Sequence, residues 1–261
     1  MKKLFALALA LITVASFADG ETLYKCGFEA DEGFTDGATI DGVGTWYKAD
    51  TRTGDCSAES DDPAVGGQYA KQAGDKYLNF INTFDISEVY EAEYAGLPLD
   101  VYAYVKWPSD APNTWYIKFQ GLTGSFTTEL EIMEFQIKNN RFWFCHGDGT
   151  GNTPSWEGND LQADVWYKVG GIIDPVTKTI LSLYIDDMEF DSETAGYQLY
   201  YKHYAKPEMG KYPNSIRLQN TGCVDDITVE VIPEPASIGL LTLVGLCFLR
   251  KRGKSNFLTG F

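Results

Sequence analysis

Three glutamates fall within seven residues in Glu129-Leu130-Glu131-Ile132-Met133-Glu134-Phe135. Carboxylates at that density could serve as nucleophile, general acid and general base, and retaining glycoside hydrolysis needs two of them about 5 to 5.5 Å apart on one face. In an extended strand, simple alternation puts Glu129 and Glu131 on one face and Glu134 on the other. Convergence therefore requires a β-bulge between Glu131 and Glu134. A structural reading stands beside the chemical one: Met133, Phe135 and Ile137 make an apolar face, while Glu134, Gln136 and Lys138 make a solvated one.

The run resembles the Glu-x-Asp-x-x-Glu strand of family 16 glycoside hydrolases, which cleave β-glucans or galactans with retention. That resemblance implies Glu129 as nucleophile, Glu131 as assisting carboxylate and Glu134 as acid/base. Glu131 stands where the family carries Asp, and its longer side chain would crowd the nucleophile. Other chemistries lack their residues. The only histidines, His146 and His203, sit in neither a zinc-ligand spacing nor a Ser/His/Asp arrangement, and no glycine-rich phosphate loop opens a helix. Asp148-Gly149-Thr150-Gly151-Asn152 fails the EF-hand pattern. The expectation is a non-catalytic protein, with the hydrolase as the alternative.

The elements that must carry these residues are strands. Between Asp19 and Val231 no useful helical periodicity occurs, whereas short alternating runs recur between Gly, Asn, Asp and Pro clusters. Strands are predicted at Trp115 to Phe119, Glu129 to Lys138, Arg141 to Cys145, Trp166 to Ile173, Ile180 to Asp186, Ser215 to Gln219 and Val224 to Val231. Asn139-Asn140 and Asp174-Pro175-Val176-Thr177-Lys178 are hairpin signals. The fold class is all-β, a jelly-roll β-sandwich over residues 19–231, although a closed barrel fits the same spacing. Trp46, Trp115, Trp143 and Trp166 are expected in its core.

The order Trp166-Tyr167-Lys168-Val169, a turn at Asp174, Leu183-Tyr184-Ile185-Asp186-Asp187 and Val224-Asp225-Asp226-Ile227 resembles the concanavalin A-like, laminin G-like sandwiches. Cys26-Gly27-Phe28-Glu29 resembles their opening strand, as in MAM domains. The resemblance implies that the opening acid and the closing Asp-Asp-Ile strand share calcium, here through Glu29, Asp225 and Asp226. Alternation puts Asp225 on the face of Ile227, Val229 and Val231, where a bare carboxylate is costly, so a cation is one remedy and a backbone N–H another. Cys26, Cys56, Cys145 and Cys223 form an even set that suggests two disulfides in an oxidising compartment, with reduced, buried cysteines as the alternative. On the implied shared-ion geometry, Cys26 and Cys223 are out of register. Cys26–Cys56 with Cys145–Cys223 is then the preferred pairing.

For ligand binding, the loop Gly147 to Asp160 offers Asp148, Asn152 and Trp156, and the tyrosine-rich segment Tyr197 to Tyr204 offers Tyr201. Aromatic faces beside amide and carboxylate groups suit a neutral sugar. The expected partner is extracellular polysaccharide or matrix, in a binding, adhesive or purely structural role.

The two ends read as addresses. Lys2 and Lys3, the apolar Leu4 to Val14 and Ser16-Phe17-Ala18 compose a signal peptide over 1–18. Pro233-Glu234-Pro235, a short hydrophobic helix over 236–249 and Arg250-Lys251-Arg252 resemble the PEP-CTERM sorting tail, spanning 232–261. That resemblance implies export through the inner membrane of a Gram-negative bacterium, processing by an exosortase and delivery to the cell surface or the extracellular space. The tail helix would enter the membrane transiently, being short for a permanent transmembrane span. The chain's net charge is −16, and residues 19 to 235 hold 15 Lys and Arg against 37 acids, a net charge near −22. Such a surface repels nucleic acid and anionic membranes.

Overall fold

The computed structural model describes residues 20–49, 51–74, 78–109, 114–121, 130–138, 141–147, 152–191, 196, 198–204, 206, 209–220 and 222–233, with backbone alone at 74, 114, 138 and 152–160. One compact unit spans Thr22–Val231. Glu129, Asp148, Asn139-Asn140, the leader 1–18 and the tail from Glu234 onward, with Arg250, Lys251 and Arg252, lie outside the described residues. No helix among the described residues is long and apolar enough to cross a membrane.

The described chain is built of strands: β1 (Thr22–Cys26), β2 (Trp46–Lys48), β3 (Gly54–Glu59), β4 (Tyr69–Gly74), β5 (Asn79–Thr83), β6 (Leu99–Lys106), β7 (Thr114–Gln120), β8 (Glu131–Lys138), β9 (Arg141–Gly147), β10 (Asn152–Asp160), β11 (Tyr167–Asp174), β12 (Thr179–Ile185), β13 (Met188–Asp191), β14 (Leu199–Tyr200), β15 (Ser215–Gln219) and β16 (Gly222–Val231). They join antiparallel in the order β2-β5-β15-β7-β8-β9-β14-β12-β11-β6-β16-β4-β3, with β1 on β16, β10 on β9 and β13 on β12. The all-β sandwich arises as this path folds over, with the two-residue β14 linking β9 to β12 at the crossover. The layers meet where β11 crosses β8. A Cβ at Gly171 would stand 2.9 Å from Met133 Sδ, so glycine permits that approach.

Alternation explains each strand's two faces. In β6, Leu99, Val101, Ala103 and Val105 are buried while Asp100, Tyr102 and Tyr104 are half-buried on the opposite side. Between the layers, Phe135 packs its ring against Phe119, Phe142 and Phe144 at centroid distances of 6.2, 5.4 and 5.5 Å. Such packing is the main favourable term for the fold. The predicted hairpins form as well. Lys138 pairs with Arg141, and Asp174 with Thr179, where the Asp174 carboxylate accepts from the Val176 and Thr177 amides.

Four expectations are corrected. The stretch Gly147 to Asp160, read as a loop, carries strand β10 along the edge of β9. Trp46 and Trp115 are core residues, but Trp143 and Trp166 are half-buried. Trp166 instead clamps the surface, donating from Nε1 to Asp62 O at 2.9 Å beneath the Lys106 ammonium, which lies 4.6 Å from its ring.

The disulfides are also absent: Cys26, Cys56, Cys145 and Cys223 are all buried free thiols. Cys145 and Cys223 stand on strands of different layers, each outside the core cluster. Cys145 Sγ accepts from Gln136 Nε2 at 3.3 Å on its own layer. Cys26 pairs with Ile227, whereas Cys56 pairs through Gln72 with Gly222, five residues along β16 and roughly 15 Å of strand away. That separation is beyond bonding reach for Cys26 and Cys56.

Finally, β16 does not alternate straight through. A bulge between Asp225 and Thr228, with Asp226 at φ 45°, pairs Asp225 with Tyr104. Directly paired residues share a face, so Asp225 leaves the side of Ile227 and Val229 for that of Tyr104.

Candidate functional site

The bulge in β8 that convergence of Glu131 and Glu134 requires is present. Phe119 pairs with Met133 but Gln120 pairs with Glu131, so Ile132 is the extra residue. Glu131 thereby joins the face of Glu134, and both approach Lys118 Nζ, at 3.3 and 3.7 Å. The turn after β14 closes over them, with Lys202 paired to Glu134 and His203 to Glu131. Gln136 donates to Glu134 from the same strand.

This arrangement is closed, with two ammonium groups and an imidazole around two carboxylates. Glu131 and Glu134 are only 1% and 2% exposed, and so the face read as solvated is covered. Burial pushes Glu131 up, but His203, Lys202 and Lys118 together hold it well below the usual carboxylate range. The same two glutamates outweigh burial at Lys202 and raise it. The acid/base carboxyl of a retaining hydrolase must reach its substrate, and Glu134 is covered. Glu131 and Glu134 instead form a buried ion-pair network whose geometry suits structure.

The acids expected to share calcium are engaged separately. Asp225 Oδ2 accepts from the amides of Ala64 and Val65 at 3.0 and 2.9 Å, and Oδ1 from that of Asp226 at 2.7 Å. Glu29 Oε1 accepts from Gly67 N at 2.7 Å, and Asp226 pairs with Lys25 Nζ at 2.7 Å. Amide donors and an ammonium thus occupy the carboxylates. Among the described residues no three His, Cys, Asp or Glu side chains gather to hold a metal. These residues do not fit the calcium site. Burial, despite the three amides, pushes Asp225 up to about 6.

Of the expected sugar-binding set, Tyr201 is fully buried and donates to Lys211 O at 3.1 Å, which removes it as a stacking surface. Asn152 and Trp156 lie on β10, where only backbone is described, and Asp148 is outside the described residues. Of the four, the structure thus decides only Tyr201, which it buries in the core.

A groove of about 590 Å³ lies elsewhere, on the outer side of β6, β11, β12 and β13. Its walls include Asp100, Tyr104, Lys168, Tyr184, Asp186 and Glu189. Register builds it: Tyr104 pairs with Lys168, Tyr102 with Gly170, Gly170 with Tyr184, and Tyr184 with Glu189. Gly170 is the key to its floor, since a Cβ there would stand 2.5 Å from Tyr184 Oη and 2.6 Å from Tyr102 Cβ. Without that Cβ, the Tyr184 ring can lie over the strand. Its hydroxyl donates to Asp100 at 2.6 Å, and that of Tyr102 donates to Glu230 at 2.7 Å. Burial, followed by Asp100, raises the Tyr184 phenol, and burial with Glu230 raises Tyr102, so both remain protonated donors. The groove therefore presents half-buried aromatic rings, a hydroxyl and several carboxylates.

The groove was missed in the sequence although a signal existed. Asp100, Tyr102 and Tyr104 are spaced by two, which places them on one strand face. Tyr184 and Asp186 were singled out, but for fold resemblance and not for a site.

No family model and no curated protein matches the chain. Among solved structures it is similar to a sialidase at 10% identity and TM-score 0.46, covering 81% of this chain and 18% of that one. The chain thus spans under a fifth of the sialidase's length. It is also similar to the carbohydrate-binding module CBM66 from Bacillus subtilis, at 9% identity, TM-score 0.41 and coverage of 76% and 99%. A third likeness is to the galectin LEC-6 of Caenorhabditis elegans, at 11% identity, TM-score 0.37 and coverage of 60% and 92%. At these values the likenesses carry no argument about ligand or activity, and the all-β sandwich rests on the strand pairings themselves.

Proposed function

We propose that this chain is an exported, non-catalytic β-sandwich module that binds carbohydrate through the groove on β6, β11, β12 and β13. The observation that supports this reading is the groove's chemistry: Tyr104 and Tyr184 beside Asp100, Asp186 and Glu189. Sugar rings offer C–H faces to aromatic rings and hydroxyls to carboxylates, and a few placed polar groups in a concave aromatic surface suffice for recognition. The leader over 1–18 and the Pro233-Glu234-Pro235 tail with its basic cluster support delivery to the surface, with an exosortase as processing partner.

The binding experiment is retention of the purified protein on columns of insoluble polysaccharide, compared with Tyr104→Ala. Retention lost in that variant, with an unchanged unfolding midpoint, is the expected result. No retention on any glycan would leave a purely structural surface protein. Export is tested by the mass of the secreted protein, which should begin near Asp19 and end near Pro235.

A further inference from the structure

The groove's electrostatics are one-sided. Asp100, Asp186, Asp187 and Glu189 line it against one cation, Lys168. Glu230 stands behind it, bonded to Tyr102, and Asp225 pairs in register with Tyr104. The lone ammonium is informative. Lys168 Nζ sits 3.7 Å from the Tyr102 ring centre and 5.3 Å from that of Tyr184. The surface therefore already holds an alkylammonium against aromatic faces, as cation–π attraction favours. Asp186, Asp187 and Glu189 are exposed at the groove's rim. Asp186 spends one oxygen on the Lys168 amide at 2.8 Å, and Glu189 accepts from Ser182 Oγ at 2.7 Å. Each carboxylate has a second oxygen and further lone pairs for an incoming group.

Resting on the carbohydrate-binding reading above, we propose that the groove selects a cationic amino-sugar polymer, a β-linked glucosamine chain with free amines. Its pyranose faces stack on Tyr104 and Tyr184, and its ammonium groups pair with Asp186, Asp187 and Glu189. A glycan of uronic acid or sulfated sugar would meet four carboxylates and is excluded by like-charge repulsion. A neutral, fully N-acetylated chain keeps the stacking but loses the charge-assisted hydrogen bonds, which are about twice as strong as neutral ones.

The test is calorimetric titration of the full mature protein with three short oligomers of equal length: glucosamine, N-acetylglucosamine and a polyuronate. The expected result is at least tenfold tighter binding of glucosamine than of its N-acetylated form at low salt. That preference should shrink in high salt and in the double variant Asp187→Asn/Glu189→Gln, and the uronate should not bind. Tyr104→Ala keeps every charge, so glucosamine binding unchanged in that variant would reduce the effect to attraction between a polycation and an acidic protein, and would overturn the proposal. Equal affinity for the amine and N-acetyl oligomers would overturn the cationic selection but leave the carbohydrate reading intact. Failure of all three oligomers, together with failure on the polysaccharide columns, would sink both.

Discussion

Glu131 and Glu134 meet on one side of Lys118, at 3.3 and 3.7 Å from its ammonium, because the single-residue bulge at Ile132 turns one of them round. The same bulge that a catalytic pair would need is used here to assemble a buried ionic network. A charge buried without its partner is far costlier than an exposed one. Lys118→Met should therefore destabilise the protein by about 3–5 kcal/mol, and Glu131→Gln by a similar amount. Urea unfolding midpoints measure this. A wild-type midpoint in either variant would show that the network is not closed.

Two carboxylates set opposite limbs of the stability profile. Asp225 is raised by burial from 3.8 to about 6, so its contribution is full below 3.8 and is lost as pH rises through about 6. Glu131 is held below its ordinary 4.5, so its contribution is present above 4.5 and is lost as pH falls. Together they place the maximum of stability between about 3.8 and 4.5, with the alkaline fall complete by about 6. Asp225→Asn should flatten the alkaline limb and leave the acid limb in place. An alkaline limb unchanged in that variant would show that Asp225 does not cause it.

Gly171 is where β11 crosses β8, and a methyl group there would stand 2.9 Å from both Met133 Sδ and Ser182 O. The backbone oxygen cannot swing aside as a side chain would. Gly171→Ala should lower stability by about 1–3 kcal/mol through overpacking. Thermal unfolding compared with Gly196→Ala, whose added methyl meets nothing within 4 Å but sits at φ 72°, would separate crowding from backbone strain.

All four described cysteines should be alkylated in denaturant without prior reduction. Peptide mapping should find Cys26, Cys56, Cys145 and Cys223 each labelled singly. Burial raises Cys26 and Cys223 to about 12 and Cys145 to about 11, so few thiolates are available to react in the native state. Labelling of the folded protein should be slow by comparison.

The sequence by itself determined what depends on neighbours along the chain. Alternation identified the strands around Trp115, Phe135, Val169 and Ile216, Asp174 marked its hairpin, and the spacing of Glu131 and Glu134 showed that only a bulge could make them converge. Asp100, Tyr102 and Tyr104 carry the same period of two, although the strand that holds them was not among those identified. These properties follow from the pleat of the backbone, which acts over two or three residues. Only the tertiary structure decided what those faces would meet. Lys202, 68 residues beyond Glu134, closes a cluster that local pattern left open to solvent or substrate. The groove takes residues from four strands whose order in the sheet is set by long-range pairing, which no local period encodes. The cysteines and the acids at Asp225 and Asp226 were decided in the same way. Register along β16 keeps Cys26 from Cys56, and the loop from Asp61 to Gly67 with Lys25 brings amides and an ammonium to carboxylates for which the sequence left a cation and a backbone N–H both open.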